Sequence, residues 1–226
     1  MTQRLIIRLI PLEILVLSIL AGFMAAMGVR SLIGAQSDLP SAAETAVAGA
    51  ALALAPAPAN GALAPIFTPE VQHWAGKIIA WSNYFQIDPN LAATVMQIES
   101  CGAPGVTSGS GAQGLFQVMP FHFVTGEDML DPDTNAGRGL AYLSLGLSRA
   151  SGDAGLALAG YNGGHSMIGR DSSLWPNETQ RYWYWGTGIY QDAVDGAAQS
   201  GRLQEWLQAG GASLCATASQ QLGLAQ

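Results

Sequence analysis

Lysine is almost absent from this chain of 226 residues. Lys77 is the only one, and with eight arginines it faces sixteen acidic residues, which gives a formal net charge of -7. Proteins that bind nucleic acids need a basic surface, because contacts from Lys and Arg to phosphates supply most of the affinity. The sequence therefore argues against a nucleic-acid partner and favours a neutral or weakly charged polymer, bound by stacking and hydrogen bonds.

Motifs for metals and cofactors are also missing. The three histidines, His73, His122 and His165, are isolated from one another and lack the HExxH or cysteine spacing of a zinc site. The stretch GSGAQG from Gly109 to Gly114 fits G-x-G-x-x-G, but a predicted helix precedes it and the second strand of a dinucleotide-binding unit is absent. We expect neither a metal nor a cofactor.

Cysteine occurs twice, as Cys101 and Cys215. In an exported protein an even count permits one disulfide, which here would close a loop of more than a hundred residues and tie the C-terminal tail to the middle of the chain. Two free buried thiols are the alternative, and the sequence does not decide between them.

The N-terminus carries one long apolar run. It extends from Leu9 to Val29, contains Glu13 as its only charge, and follows two arginines. A run of about 20 residues is long enough to cross a bilayer as a helix and longer than the ~7–15 apolar residues of a cleaved signal peptide. Residues 1–33 are therefore predicted to be a signal anchor in the cell membrane, with the rest of the chain extracytoplasmic. Secretion after signal-peptide cleavage is the alternative.

Residues 34–66 lack aromatic side chains and are rich in alanine and proline, which predicts a linker. Every Trp and Tyr lies beyond this segment. We predict one domain over residues 67–208, followed by a C-terminal tail over 209–226 that the possible disulfide would hold.

The predicted domain is mainly helical. Thr68 and Pro69 start one amphipathic helix, and Asp88 and Pro89 start a second that ends at Glu99. Further helices are predicted in NAGRGLAYLSLGLSRA, in DAGLALAGY after its cap Asp153, and around ETQRYWYW and LQEWLQ. No run alternates as a strand would. The expected fold is a helical, α+β domain with a small glycine-rich loop or hairpin after the helix that ends at Glu99.

Three motifs carry a family resemblance. They are QIESCGAPGVTSGSGAQGLFQVMP, DPDTNAGRGLAYL and AGYNGG, in that order. This pattern resembles the catalytic domain of soluble-type lytic transglycosylases, lysozyme-like enzymes that cleave peptidoglycan. The likeness is close over residues 88–164 and looser up to Tyr190. Cys101, Gly102, Phe116 and Gly160 depart from the usual residues of the family.

The resemblance implies an activity and a set of site residues. The expected reaction is cleavage of the β-1,4 bond between MurNAc and GlcNAc in peptidoglycan glycan strands, with formation of 1,6-anhydro-MurNAc. One glutamate would act as acid and then as base. The position that matches it is Glu99, and the positions that match the substrate-binding residues are Ser108, Gln117, Met119, Tyr161 and Asn162.

The residues themselves support a catalytic acid at Glu99. It ends an apolar helix beside Ile98, an environment that disfavours the charged carboxylate and so raises the pKa. Ordinary glycosidases add a second carboxylate. The acidic residues between Glu127 and Asp153 lie in a polar turn or at a helix cap, and Glu178 is interpreted as part of a helix start. A hydrolytic muramidase and a non-catalytic glycan-binding or assembly module remain the alternatives.

Overall fold

Helices dominate the part of the protein that the computed structural model describes, residues 62–224. In this part the α-helices are α1 (Pro69–His73), α2 (Ala75–Phe85), α3 (Pro89–Glu99), α4 (Pro132–Arg149), α5 (Ala154–Gly163), α6 (Asn177–Val194), α7 (Gly201–Trp206) and α8 (Ala212–Leu222). Short 3-10 turns span Pro120–His122, His165–Met167 and Ser172–Leu174, and a π-helical turn, Leu207–Gly211, joins α7 to α8. The predicted, mainly helical class is confirmed for this part of the chain.

Aspartate side chains start three of these helices. Asp88 accepts a hydrogen bond from the backbone N–H of Asn90 at the start of α3, and Asp153 accepts one from Leu156 at the start of α5. Both caps are as predicted. Asp131, which the sequence places only in a polar turn, caps α4 through the N–H of Thr134. These bonds satisfy N–H groups that have no partner within a helix.

The first predicted helix is interrupted. Trp74 leaves helical geometry, with φ of -90° and ψ of 2°, and separates α1 from α2. Its indole N–H donates to the carbonyl oxygen of Gly102 at 2.8 Å. Val71 and Ile78 on either side are both fully buried, so the apolar stripe predicted from the sequence survives the break. The break lets the indole support the turn that follows Glu99.

Helix α3 lies at the centre of the domain. Its residues from Pro89 to Gln97 are all buried, and it contacts α1, α2 and α6. Helix α5 packs between α4 and α6. A helix enclosed over most of its length must be mostly apolar, and the buried polar side chains of α3, Asn90, Thr94 and Gln97, all make hydrogen bonds. Its C-terminal residue, Glu99, is thereby held at a fixed point in the domain.

The glycine-rich segment between α3 and the turn Pro120–His122 forms a folded loop. Within residues 62–224 there is no extended sheet, only isolated antiparallel bridges from Gln113 to Thr107 and to Val118. Gln113 and Val118 exchange two backbone hydrogen bonds, each of 3.0 Å. The predicted small loop or hairpin after the central helix therefore takes the form of a loop with two bridges.

The predicted location in the cell membrane is corrected by the structure. Among residues 62–224, no helix combines the length and the apolar character needed to cross a bilayer. The two longest, α4 and α6, have 18 residues each, and each bears charged side chains, such as Arg138 and Arg181. The signal anchor predicted at 1–33 and nearly all of the linker predicted at 34–66 lie outside the described residues.

A disulfide joins Cys101 to Cys215. The two Cα atoms are 5.0 Å apart, and the bond spans 114 positions in the sequence. It connects the turn after Glu99 with α8, which also packs against α1. Gln97 donates a hydrogen bond to Cys101 Sγ at 3.1 Å. Of the two alternatives that the sequence leaves open, the structure contains the disulfide.

Reduction of this bond should destabilise the domain. Because the closed loop is long, the loss of the cross-link frees the unfolded chain, and we expect the free energy of unfolding to fall by about 2–4 kcal/mol. Urea unfolding with and without a reductant would measure the change. The double variant Cys101→Ser/Cys215→Ser serves as control, since the reductant should not affect it. Equal stability of the oxidised and reduced wild type would contradict this prediction.

Candidate active site

Glu99 is the last residue of α3, and the backbone after it is tightly held. The hydroxyl of Ser100 donates to the carbonyl oxygen of Leu115 at 2.7 Å and accepts the N–H of Gly102 at 3.0 Å. Cys101 adopts a φ of 51°, in the left-handed region, which costs a non-glycine residue free energy. The disulfide to α8 fixes this residue. The position of Glu99 is thus fixed by the buried helix α3 before it and by the hydrogen-bonded, disulfide-linked turn after it.

The Glu99 carboxyl is poised to be protonated near neutral pH. The residue as a whole keeps some exposure to solvent, but its carboxyl is enclosed by protein atoms, and this burial is the main reason that its pKa is raised from 4.5 to about 8. The nearby carboxylate of Glu178 raises the pKa further, and the hydroxyl of Tyr182 lowers it. A neutral carboxyl of this kind can donate a proton to a bound substrate.

Two tyrosines approach this carboxyl from different helices. Burial and the charge of Glu99 raise the pKa of both Tyr161 and Tyr182 well above the ordinary value. The hydroxyl of Tyr161 on α5 donates a hydrogen bond to the carbonyl oxygen of Phe116 at 2.7 Å. Tyr182 on α6 is buried, and its hydroxyl does not meet hydrogen-bond geometry with any described residue, although it lies close enough to affect Glu99. Tyr182 can therefore donate to the carboxylate when Glu99 loses its proton.

Asn135 on α4 holds the glycine-rich loop beside Glu99. Its side-chain N–H₂ donates to the carbonyl oxygens of Gln113 at 2.7 Å and Met129 at 2.9 Å, and its oxygen accepts the N–H of Phe116 at 2.8 Å. Gly114 faces this amide with a φ of 69°, and a Cβ there would lie 2.7 Å from Asn135 Nδ2. The loop therefore needs glycine at this position. The motif DPDTNAG contains Asn135, but its role could not be inferred from the motif.

Two of the predicted substrate-binding residues brace the same loop. Gln117, with a φ of 46°, donates through Nε2 to the carbonyl oxygens of Gly114 at 3.0 Å and Val106 at 3.3 Å. The hydroxyl of Ser108 accepts the N–H of Ala112 at 2.9 Å. Neither side chain hydrogen-bonds to Glu99 in this structure. Their contact with a substrate stays a prediction.

The other predicted site residues lie around the same loop and helices. Met119 is half-buried and precedes the turn Pro120–His122. Asn162 accepts a hydrogen bond from the hydroxyl of Thr179 at 2.9 Å, which ties α5 to α6. Tyr161 is the only titratable residue among the five predicted to bind substrate, and the charge of Glu99 is one cause of its raised pKa.

Sequence reasoning missed Glu178 and Tyr182. The sequence places Glu178 at a helix start and Tyr182 within the helix predicted around ETQRYWYW, with no role for either at Glu99. On α6 they stand four positions apart and so lie on one side of the helix, and both act on the pKa of Glu99. Glycine at position 186 lets α6 pack closely on α5, since a Cβ there would lie 3.1 Å from Cδ1 of Leu158. The i, i+4 spacing was the signal available in the sequence.

Within residues 62–224, one group of side chains has the composition to hold a metal ion. It consists of Glu70, Cys101 and Cys215. The two sulfurs are joined in the disulfide, so they cannot act as thiolate ligands. The carboxylate of Glu70 instead accepts a hydrogen bond from Ser219 on α8.

Comparison with known proteins finds a family model and a phage protein that resemble this chain. Residues 76–183 match the family model of the Transglycosylase SLT domain, a range that contains Glu99, the loop and both tyrosines. A transglycosylase of Enterobacteria phage PRD1 is 38% identical over 114 residues, which are 48% of this chain and 40% of the relative. Residues 76–183, just under half of the chain, thus resemble a Transglycosylase SLT domain, and both matches support a lytic transglycosylase catalytic domain in this region.

A solved structure shows a weaker likeness. The lytic transglycosylase Slt of Pseudomonas aeruginosa, in an inactive mutant form, is 22% identical, with a TM-score of 0.38. The match covers 66% of this chain and 24% of that one. The chain thus spans less than half the length of either protein.

Replacing Asn135 with alanine should loosen the loop. The change leaves the N–H of Phe116 and the carbonyl oxygen of Met129 without these partners and removes one of the two hydrogen bonds to the carbonyl oxygen of Gln113, so we expect the free energy of unfolding to fall by about 2–4 kcal/mol. Hydrogen exchange should speed up over residues 106–118 in particular. Asn83→Ala, at an exposed position of α2, is the matched control and should change little. Unchanged exchange in the loop would show that Asn135 does not hold it.

The raised pKa of Glu99 makes stability depend on pH. Between the ordinary value of 4.5 and about 8 the folded protein binds more protons than the unfolded chain, so this group's contribution to stability decreases as the pH rises through that window. Glu99→Gln removes the ionisation. We expect the variant to gain on the order of 2 kcal/mol relative to wild type between about pH 4 and about pH 8.

Urea unfolding at several pH values would test this dependence. Glu205→Gln, an exposed carboxyl on α7, is the control and should follow wild type. A constant difference between Glu99→Gln and wild type across the pH range would contradict the raised pKa.

Proposed function

We propose that this protein is a lytic transglycosylase that cleaves the β-1,4 bond between MurNAc and GlcNAc in peptidoglycan and forms 1,6-anhydro-MurNAc. The observation that carries the proposal is the enclosed carboxyl of Glu99, with a pKa of about 8, within a domain of the SLT family. An acid that is still protonated at neutral pH is what departure of a sugar oxygen requires.

The proposed reaction needs one carboxyl and no water. Glu99 gives its proton to the oxygen that leaves with GlcNAc, and the bond from that oxygen to C1 of MurNAc breaks. The C6 hydroxyl of the same MurNAc then attacks C1 and passes its proton to the Glu99 carboxylate. The new bond closes the 1,6-anhydro ring, and Glu99 ends protonated as it began.

The neighbours of Glu99 suit the charged stage of this cycle. When Glu99 has lost its proton, the hydroxyl of Tyr182, which has no hydrogen-bond partner among the described residues, can donate to the carboxylate. The hydroxyl of Tyr161 donates its hydrogen bond to the carbonyl oxygen of Phe116, so its own oxygen is left as an acceptor in this region. Both tyrosines have a raised pKa and stay neutral throughout.

The loop residues are proposed to bind the sugar. The hydrogen bonds of Gln117 to the loop use Nε2, which leaves its amide oxygen for a sugar hydroxyl or N-acetyl N–H. Ser108 offers a hydroxyl at the edge of the loop, and Asn162 an amide. Met119 would provide an apolar wall.

One observation favours a second candidate, a hydrolytic muramidase. The charge of Glu178 raises the pKa of Glu99, so a second carboxylate does stand near the first. In glycosidases that use water, such a carboxylate acts as nucleophile or as base. Glu178 is exposed at the start of α6, where it could reach a bound water.

Product analysis separates the two candidates. Purified peptidoglycan would be digested by wild type, Glu99→Gln and Glu178→Gln, and the fragments identified by mass spectrometry. We expect anhydro products from wild type, a loss of about 100-fold or more in rate for Glu99→Gln, and anhydro products with less than about tenfold loss for Glu178→Gln. Fragments with reducing ends, or no cleavage by Glu178→Gln, would favour the muramidase.

The rate of wild-type cleavage should depend on pH. Because the acid form of Glu99 is the active one, the rate should fall as the pH rises through about 8. In Glu178→Gln the fall should begin at a lower pH, since the charge that raises the pKa of Glu99 is gone. Identical alkaline limits in the two proteins would contradict this role of Glu178.

A further inference from the structure

The outer surface of α6 carries two adjoining open depressions. Their volumes are about 640 and 500 Å³. They share Ser172, Trp175 and Trp183 as lining residues. Tyr182 points from the same helix toward Glu99, while Arg181 and Tyr184 face outward. The depressions therefore belong to a different surface of α6 from the one that meets the catalytic carboxyl.

The first depression has an unusual share of aromatic side chains. Trp183 is 38% exposed and Tyr184 45% exposed, and Trp185 completes the lining. Trp183 packs edge-on against Trp175, with ring centroids 6.1 Å apart. Large exposed aromatic groups gathered at one place mark binding surfaces, because they offer apolar contact area at little cost in side-chain entropy.

The cations at these depressions lack partners, in contrast to other cations in the domain. Residues 62–224 contain six Lys and Arg side chains, and four of them have a charged or hydrogen-bonding partner: Lys77 with Asp133, Arg138 with Glu127, Arg149 with His165, and Arg202 with Glu205. The side chains of Arg170 and Arg181 have no such partner among the described residues. Each of these two arginines lines one of the depressions.

Unpaired guanidinium groups beside aromatic rings complement a ligand that carries carboxylates. A densely charged polyanion such as a nucleic acid fits less well, because the chain as a whole has a charge of -7 and would repel it. At the far end of the second depression stands Asp153, whose Oδ1 caps α5. Its second oxygen can accept an ammonium group. The pattern suits a ligand with carboxylates and one amine.

We propose that these depressions bind a stem peptide of peptidoglycan, with its carboxylates at Arg170 and Arg181 and its amine at Asp153. The choice of polymer rests on the proposed function. The methylene groups of the peptide lie against Trp183, and the contact holds a peptide-bearing strand to the enzyme outside the cleft at Glu99. A strand without peptides gains nothing from this surface.

Direct binding of a free stem peptide tests the site without catalysis. The probe is the tetrapeptide N-acetyl-L-Ala-γ-D-Glu-meso-diaminopimelate-D-Ala, which keeps the single amine of a strand-bound stem, and it is added to the Glu99→Gln protein while tryptophan fluorescence is recorded, since three tryptophans line the first depression. We expect a saturable change that is weakened about three- to tenfold by Arg170→Ala or Arg181→Ala. Lys77→Ala, an exposed cation on α2, is the control and should bind normally.

Three results of the binding test would overturn the proposal. The first is the absence of a saturable fluorescence change, and the second is equal peptide binding by wild-type and arginine-variant surfaces. The third is the same fluorescence change produced by inorganic phosphate at a lower concentration than by the peptide. Circular dichroism and thermal unfolding of each variant show whether it is folded, and the aromatic variant Trp183→Ala provides a further probe that does not change charge.

Cleavage of two substrates separates this proposal from the proposed function. Intact peptidoglycan would be compared with glycan strands from which an amidase has removed the peptides. Arg181→Ala should raise KM about three- to tenfold on the intact polymer, leave kcat unchanged, and leave both constants unchanged on bare strands. Equal KM values for wild type and variant on the intact polymer would refute the peptide site while leaving the enzyme's function in place. Peptide binding without cleavage of either substrate would refute the function and leave the site.

Discussion

The burial of one carboxyl at the end of α3 is the constraint on which the domain depends. A carboxylate is unfavourable in an enclosed position, so Glu99 stays protonated to about pH 8 and remains able to donate a proton. Maintaining this position requires a helix that is buried along most of its length and a rigid turn after it. Ser100 and the Cys101–Cys215 disulfide provide that turn. Residues that stabilise the turn, Ser100 and Cys101, therefore directly follow the residue with the raised pKa, Glu99.

The loop beside Glu99 is held from α4 rather than by a sheet. The side chain of Asn135 makes two hydrogen bonds to backbone groups of the loop, at Gln113 and Phe116, and a third to the carbonyl oxygen of Met129. Close packing adds to them: Gly139 on the same helix has no room for a side chain, since a Cβ there would lie 2.6 Å from Cβ of Phe116. The carbonyl oxygen of Phe116 in turn accepts the hydroxyl of Tyr161. Phe116 thus links the loop to both α4 and α5.

Helix α6 has one surface that faces Glu99 and another that faces solvent. Its inner surface brings Tyr182 and Glu178 to the carboxyl of Glu99, and these two groups shift the pKa of that carboxyl in opposite directions. Its outer surface exposes Tyr184 and Arg181 beside open depressions. Because an α-helix turns by about 100° per residue, neighbouring positions in RYWYW serve both surfaces. Some of the consecutive aromatic residues of α6 therefore point toward the protein interior and others toward the solvent-exposed depressions.

Local signals in the sequence were sufficient for part of this description. Asp88 and Asp153 mark helix starts because a cap acts on N–H groups two or three residues away, and Glu99 stands out because it ends an apolar helix. The motifs around it led to the family that the comparison supports. The long apolar run near the N-terminus led to a membrane location that the described helices do not support.

Other features were decided by tertiary structure alone. Trp74 interrupts a helix because its indole binds Gly102, and Gln117 turns to its own loop because carbonyl oxygens there accept its amide. Tyr182 and Glu178 act on Glu99 from a helix far along the chain. Sequence spacing determines which residues share a helix face, but the pKa of a carboxyl depends on which side chains the fold brings around it.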